Sequence, residues 1–219
     1  MLHVTGVTAA LGRDPHDAVL AAVSAAKSAE VPISFAVEYR PELWASVREA
    51  EEVLTELACQ SHLLFVRQDE LDLIKPALTP EREVVVARGA KGASVRADRM
   101  RYDAPGPQTP VVDYGGAGDA FVAGYLSAAL DGLTPPERLR RATQLSAAAA
   151  STASDWQGPA EPGASCSYSM FRVNVEVVFL MFCALSAKRR PRNVAEPTAG
   201  PWPCSGSSLT QMPKPDLAS

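Results

Sequence analysis

Short apolar blocks alternate with amphipathic stretches through residues 1–158, and this alternation constrains the chain more than any other feature. Residues 31–37, 62–66 and 83–88 are rich in Val, Ile, Leu and Phe, are bounded by turn residues, and read as strands. Between them, Val19, Leu20, Val23 and Ala26 recur at helical spacing. Val47, Ala50, Val53, Leu54 and Leu57 do the same over residues 46–59. Asp14 is expected to cap the first of these helices, with Pro15 at its first helical position and Asp17 at the positive end of its dipole. A short acidic helix is predicted at 69–74. The turn Gly89-Ala90-Lys91-Gly92 leads into a strand at 93–96, a proline-bearing loop reaches a strand at Val111-Val112, and two helices are predicted over about 117–130 and 136–151. Strands separated by crossover helices pair in parallel, and a parallel sheet needs cover on both faces. The expected class is therefore α/β with a mostly parallel sheet.

The composition changes near residue 159. Residues 159–219 hold 8 of the 18 prolines and three of the four cysteines, Cys166, Cys183 and Cys204. Residues 158–163 form a breaker cluster, 171–185 is apolar and fits either one strand or one helix, and Pro, Ser, Gly and basic residues dominate from Lys188. The expectation is a core at 1–160 and an atypical, poorly ordered tail at 161–219. With 21 Lys plus Arg against 25 Asp plus Glu, the net charge is −4, which argues against binding nucleic acid by phosphate neutralisation. No run approaches the roughly 18 apolar residues of a membrane span. No C-x-x-C pair or His/Cys ligand spacing occurs, and the first residues lack the basic region of a secretion signal. A cytoplasmic protein without membrane or nucleic-acid partners is expected.

Chemistry concentrates at Val111-Val112-Asp113-Tyr114-Gly115-Gly116-Ala117-Gly118-Asp119-Ala120-Phe121. A glycine turn opening a helix presents unpaired N–H groups at the positive end of the dipole, and small residues let an anion approach them. Asp119 stands in the first helical turn, where a carboxylate can take a proton from an attacking hydroxyl. No Gly-Lys-Ser/Thr follows, so this is not a P-loop. Phe121 stands where a dinucleotide fingerprint requires Gly or Ala. A plain glycine turn with Asp119 stabilising the helix start fits the same residues.

With its flanks, Asp113-x-x-Gly116-Ala117-Gly118-Asp119-Ala120-Phe121 followed by Ala123-Gly124-Tyr125 resembles the C-terminal signature of the ribokinase-like (PfkB) carbohydrate kinases. Other segments resemble that family in the expected order. His3-Val4-Thr5-Gly6 resembles a mid-chain strand, and Ala36-Val37-Glu38-Tyr39-Arg40 the Asp-x-Asn-x-Arg segment. Arg67-Gln68-Asp69-Glu70 matches Asn-x-x-Glu, and residues 84–93 match the strand and turn before the nucleotide site. Ser154-Asp155-Trp156-Gln157-Gly158 resembles the closing Gly-Asp-x-x-Gly. The Tyr-Arg-Pro-x-Leu-Trp block and Arg-Gly-Ala-Lys-Gly look most like 2-keto-3-deoxygluconate kinases. The resemblance implies a ribokinase-like three-layer sandwich and ATP-dependent phosphoryl transfer to a sugar hydroxyl.

Residue by residue, the resemblance implies Asp119 as base and Gly116, Ala117 and Gly118 as an anion hole. It implies Arg88, Gly89, Ala90, Lys91 and Gly92 beside the nucleotide with Thr143 on the adenine side, Arg40 on phosphate or substrate carboxylate, and Glu70 placing Mg²⁺ through waters. On spacing alone, Glu70 also reads as a solvated face, Arg40 as a strand-end cap, Gly89 and Gly92 as a tight turn, and Thr143 as a back-bonding helix residue. The departures are Ala36 and Glu38 for the family's Asp and Asn, and Arg67 for its Asn. Glu38 is expected to repel phosphates and Arg67 to oppose a bound cation. Resemblance also implies truncation at the N-terminus, with the family's sugar pocket and β lid preceding Met1. An open sheet edge left there would favour a homo-oligomer. The alternative function is a non-catalytic nucleotide-binding remnant, or a truncated gene product, of the same family.

Overall fold

The computed structural model describes residues 1–106 and 110–151. Among these residues six strands form one sheet: β1 (Leu2–Thr5), β2 (Ile33–Ala36), β3 (Leu63–Arg67), β4 (Glu83–Ala87), β5 (Ala93–Ala97) and β6 (Met100–Ala104), side by side in chain order. The first four pair in parallel, and β5 and β6 add as antiparallel hairpin strands. The register sets Val4, Phe35, Leu64 and Val84 in one row, and Ala36, Phe65, Val85 and Val95 in a row on the opposite face. Successive side chains alternate across a strand, so each row feeds a separate core.

The first core is closed by α2 (Arg13–Ser28), α3 (Val47–Gln60) and a 3₁₀ segment, Gln68–Ala77, whose Val19, Val23, Leu54, Leu57 and Ile74 are buried. The second is closed by α4 (Ala117–Leu130) and α5 (Pro135–Ala150) through Phe121, Val122, Tyr125, Leu126 and Leu139. Each fully buried large apolar side chain contributes about 1.5–3 kcal/mol. The result is the expected three-layer α/β arrangement. Tyr125 Oη donates to Glu83 Oε1 and Arg138 Nη1 donates to both Glu83 oxygens at 3.1 Å, tying α4 and α5 to the start of β4. Burial, reinforced by the Glu83 carboxylate, pushes the Tyr125 hydroxyl above its ordinary range.

Several local expectations are corrected. A short helix α1 (Gly6–Ala10), capped by Thr5, precedes α2, which starts at Arg13 after Gly12. Asp14 lies in the first turn instead of at the cap, because Gly12 at φ 131 lets the chain enter the helix earlier. Val47 is 56% exposed. It opens α3 beside its Ser46 cap, before the inward stripe begins. The predicted acidic helix at 69–74 is the longer 3₁₀ segment, with Pro76 inside it. Val111-Val112 is no strand: the Val112 and Asp113 N–H groups both donate to Ala150 O, so the end of α5 takes the bonds a sheet would have taken. β6 carries the charged Met-Arg-Tyr-Asp-Ala, and its polar residues hide a half-solvated edge strand from a hydrophobic reading. Residues 154–158, the apolar 171–185 segment and the whole 161–219 tail lie outside the described residues.

Candidate active site

A cavity of about 460 Å³ opens beyond the carboxyl ends of β2, β3 and β4, where open α/β sheets hold their ligands. It is lined by Arg40 and Glu70, by Gly89, Ala90 and Gly92, by Gly116, Ala117, Gly118 and Asp119, and by Thr143. Residues that sequence reading drew from five separate segments therefore share one wall. Arg88 and Lys91 do not line it. Arg88 Nη2 instead reaches Asp103 Oδ1 on β6 at 2.8 Å. Hydrogen bonds from Arg101 and Arg88 hold the Asp103 carboxyl down at about 2.

The glycine turn before α4 is built by local backbone chemistry. Asp113 Oδ1 accepts from Gly115 N–H at 2.9 Å, an Asx-type turn that shapes the entry to α4. Gly116 then adopts φ 70, a left-handed conformation at the helix cap that side chains disfavour. The cap makes no side-chain hydrogen bond, and Gly118 N–H has no acceptor among the described residues. A Cβ built on Gly116 or Gly118 would meet nothing within 4 Å. The glycines thus leave space at a positive helix end, which is the shape an anion requires. Asp119 occupies the first turn of α4, inside the cavity.

Glu70 is buried, not a solvated face. Its Oε1 accepts from Tyr39 N–H at 2.8 Å and lies 3.1 Å from Arg67 Nη2, while Oε2 accepts from Arg67 N–H at 2.8 Å. A carboxylate has about four acceptor directions. With three filled, Glu70 suits contact with magnesium through a water and not a direct bond. No group of three or more His, Cys, Asp or Glu among the described residues is arranged to hold a metal. Arg67 is clamped onto Asp69 and Glu70, so its charge is largely matched by its own neighbours. Thr143 Oγ1 donates back to Arg140 O at 2.9 Å, the bland role, although the residue still borders the cavity.

Ser146 escaped the sequence reading, whereas Asp113 and Glu38, already singled out there, take on further roles in the structure. Asp113 shapes the glycine turn, and its Asp-x-Gly spacing was the available signal. Ser146 lines the cavity one helical turn after Thr143. Glu38 also lines it, its carboxyl pushed up to about 7 by burial first and then by the Asp119 charge, against the pull of Arg40. The expected source of repulsion is thus substantially protonated near neutral pH. No sequence signal announced this, because Asp119 reaches it only through the fold.

The family described as "pfkB family carbohydrate kinase" matches residues 1–159. A 2-dehydro-3-deoxygluconokinase of Bacillus subtilis is 28% identical over 169 residues, covering 72% of this chain and 52% of that protein. A 5-dehydro-2-deoxygluconokinase of Listeria monocytogenes is 31% identical over 158 residues, 65% of this chain and 47% of that protein. Among solved structures, a PfkB protein from Polaromonas superimposes with TM-score 0.59 at 30% identity, over 68% of this chain and 53% of that one. A putative ribokinase II of Escherichia coli in complex with ATP and Mg²⁺ superimposes with TM-score 0.64 at 25% identity, over 72% and 54%. This chain spans about half the length of the curated relatives it matches.

Proposed function

We propose, from the premise that this chain belongs to the pfkB family of carbohydrate kinases, that its cavity serves ATP-dependent transfer of a phosphoryl group to a sugar hydroxyl. The acceptor we assign is 2-keto-3-deoxygluconate, on the strength of the Bacillus relative. The observation that carries the reading is Asp119 in the first turn of a glycine-opened helix, inside a cavity that also holds Arg40.

In this reading Asp119 accepts the proton of the attacking hydroxyl. The N–H groups of Gly116, Ala117 and Gly118 stabilise charge that develops on the transferred group, without reorganising during the reaction. Arg40 attracts phosphate or acceptor carboxylate through its fork. Gly89, Ala90 and Gly92 form one nucleotide wall, and Thr143 with Ser146 another. Magnesium, bound with the nucleotide, supplies charge neutralisation; Glu70 is the residue suited to hold its hydration shell. Core residues 1–160 and a cytoplasmic location complete the proposal.

The test is turnover of 2-keto-3-deoxygluconate by the purified chain with ATP and Mg²⁺. Asp119→Ala is expected to lower turnover by about 10²–10⁴-fold with ATP binding retained. Turnover that survives the substitution removes Asp119 as base. Calorimetry with ATP separates loss of chemistry from loss of binding.

A further inference from the structure

Among the described residues, Glu38 is the one carboxyl lining the cavity that the proposed reaction does not use, and its placement is unusual. The backbone on either side is pinned: Val37 N–H donates to Phe65 O at 3.0 Å, and Tyr39 N–H to Glu70 Oε1 at 2.8 Å. Between these anchors Glu38 takes φ 43, the left-handed region that a non-glycine residue enters at a cost. Strain of this kind persists where surrounding structure imposes it. Here it keeps a carboxyl at the cavity wall, in the electrostatic range of Asp119 on α4, Glu70 on the 3₁₀ segment, Arg67 at the end of β3 and Arg40 on its own loop.

We propose that Glu38 is a positioning residue that gates polyphosphate binding: neutral, it lets Arg40 and the α4 N-terminus face the phosphates, and ionised, it opposes them and engages Arg40. The gate rests on the nucleotide reading above and deepens it. The charge balance supplies the physical reason. Asp119 and Glu70 are already carboxyl groups, Arg67 is paired with Asp69 and Glu70, and Arg40 makes no ion pair among the described residues. A further negative charge in the cavity therefore acts mainly on Arg40 and on the incoming anion. Burial and the Asp119 charge set the changeover near neutral pH, at about 7. A protonated carboxyl also keeps one donor and one acceptor, so it can hydrogen-bond a phosphate oxygen as an amide does.

The experiment compares the wild-type chain with Glu38→Gln, an uncharged isostere, by calorimetric titration with ATP and Mg²⁺ at pH 6 and pH 8. Titration of the nucleotide itself is common to both proteins and cancels in the comparison. The wild type is expected to lose roughly tenfold more affinity over this interval than Glu38→Gln does. A second readout needs no nucleotide. Carbon-13 NMR of the glutamate carboxyls, assigned by the signal missing in Glu38→Gln, should show Glu38 titrating near neutral pH, with its midpoint lower in Asp119→Asn. ATP binding with the same pH slope in both proteins overturns the gate alone. A Glu38 midpoint in the ordinary glutamate range, or one unmoved by Asp119→Asn, overturns it whatever the nucleotide does. Absence of ATP binding at pH 6 in both proteins overturns the gate and the nucleotide assignment together.

Discussion

Two glycine turns border the same cavity and use glycine for opposite reasons. At the turn between β4 and β5, Gly92 has φ 87, and a Cβ there would lie 2.1 Å from Ala104 O. Gly106 meets Ala90 O in the same crossing. These glycines are required by protein that is already present. At the start of α4, Gly116 is required by backbone conformation, and Gly118 by neither conformation nor neighbours, since a Cβ would enter open space at both. In sequence the two turns look alike. A glycine dictated by packing marks structure, whereas a glycine facing an empty, positive helix end marks room for a ligand. Charges divide the same way. Asp103, beside the packed turn, is held at about 2 by Arg101 and Arg88, whereas Glu38, in the cavity that the open turn lines, is pushed up to about 7 by burial and Asp119.

The sharpest way to break this contrast is Gly92→Ala. Overlap with backbone plus left-handed strain should cost about 3–5 kcal/mol in denaturant unfolding, and a neutral result would remove packing as the reason for the glycine. Next comes the charge contrast. A carboxyl whose folded-state pKa is raised favours the folded state less as pH climbs from its unfolded value towards 7. Glu38→Gln should therefore stabilise the fold at pH 8 by about 2 kcal/mol relative to the wild type, and much less at pH 5, measured by chemical denaturation at both pH values. Asp103→Asn supplies the contrast: the stability lost at neutral pH should disappear only in strong acid, since its carboxyl is held low.

Gly116→Ala should cost about 1–2 kcal/mol through strain alone, with no steric component. Gly118→Ala should leave stability within about 0.5 kcal/mol yet weaken ATP binding roughly tenfold by crowding the cradle. Equal losses of stability for Gly118→Ala and Gly92→Ala would erase the distinction between the two turns.

Much of the layout was legible because its causes are local. The helical stripes of Val19, Val23 and Ala26 and of Ala50, Leu54 and Leu57, and the buried run of β2, follow from side-chain period. The α4 start was legible for the same reason: glycines and a first-turn Asp act through their own backbone. β6 was not, because an edge strand with one wet face carries charged residues that blur alternation. Resemblance placed Arg88 beside the nucleotide; its contact with Asp103 was not legible, because β6 itself was not.

The sequence by itself therefore determined the α/β class, the order of the parallel strands' crossover helices and the glycine-opened start of α4. Each depends on residues a few positions apart. The tertiary structure alone decided that Glu70 is buried under two backbone N–H groups and a guanidinium, that Val112 bonds to α5 instead of to the sheet, and that Glu38 shares a cavity with Asp119. Those outcomes depend on how the ends of strands meet the start of a helix from a distant part of the chain. Burial and Coulomb interaction between such groups exist only after the sheet has brought them together.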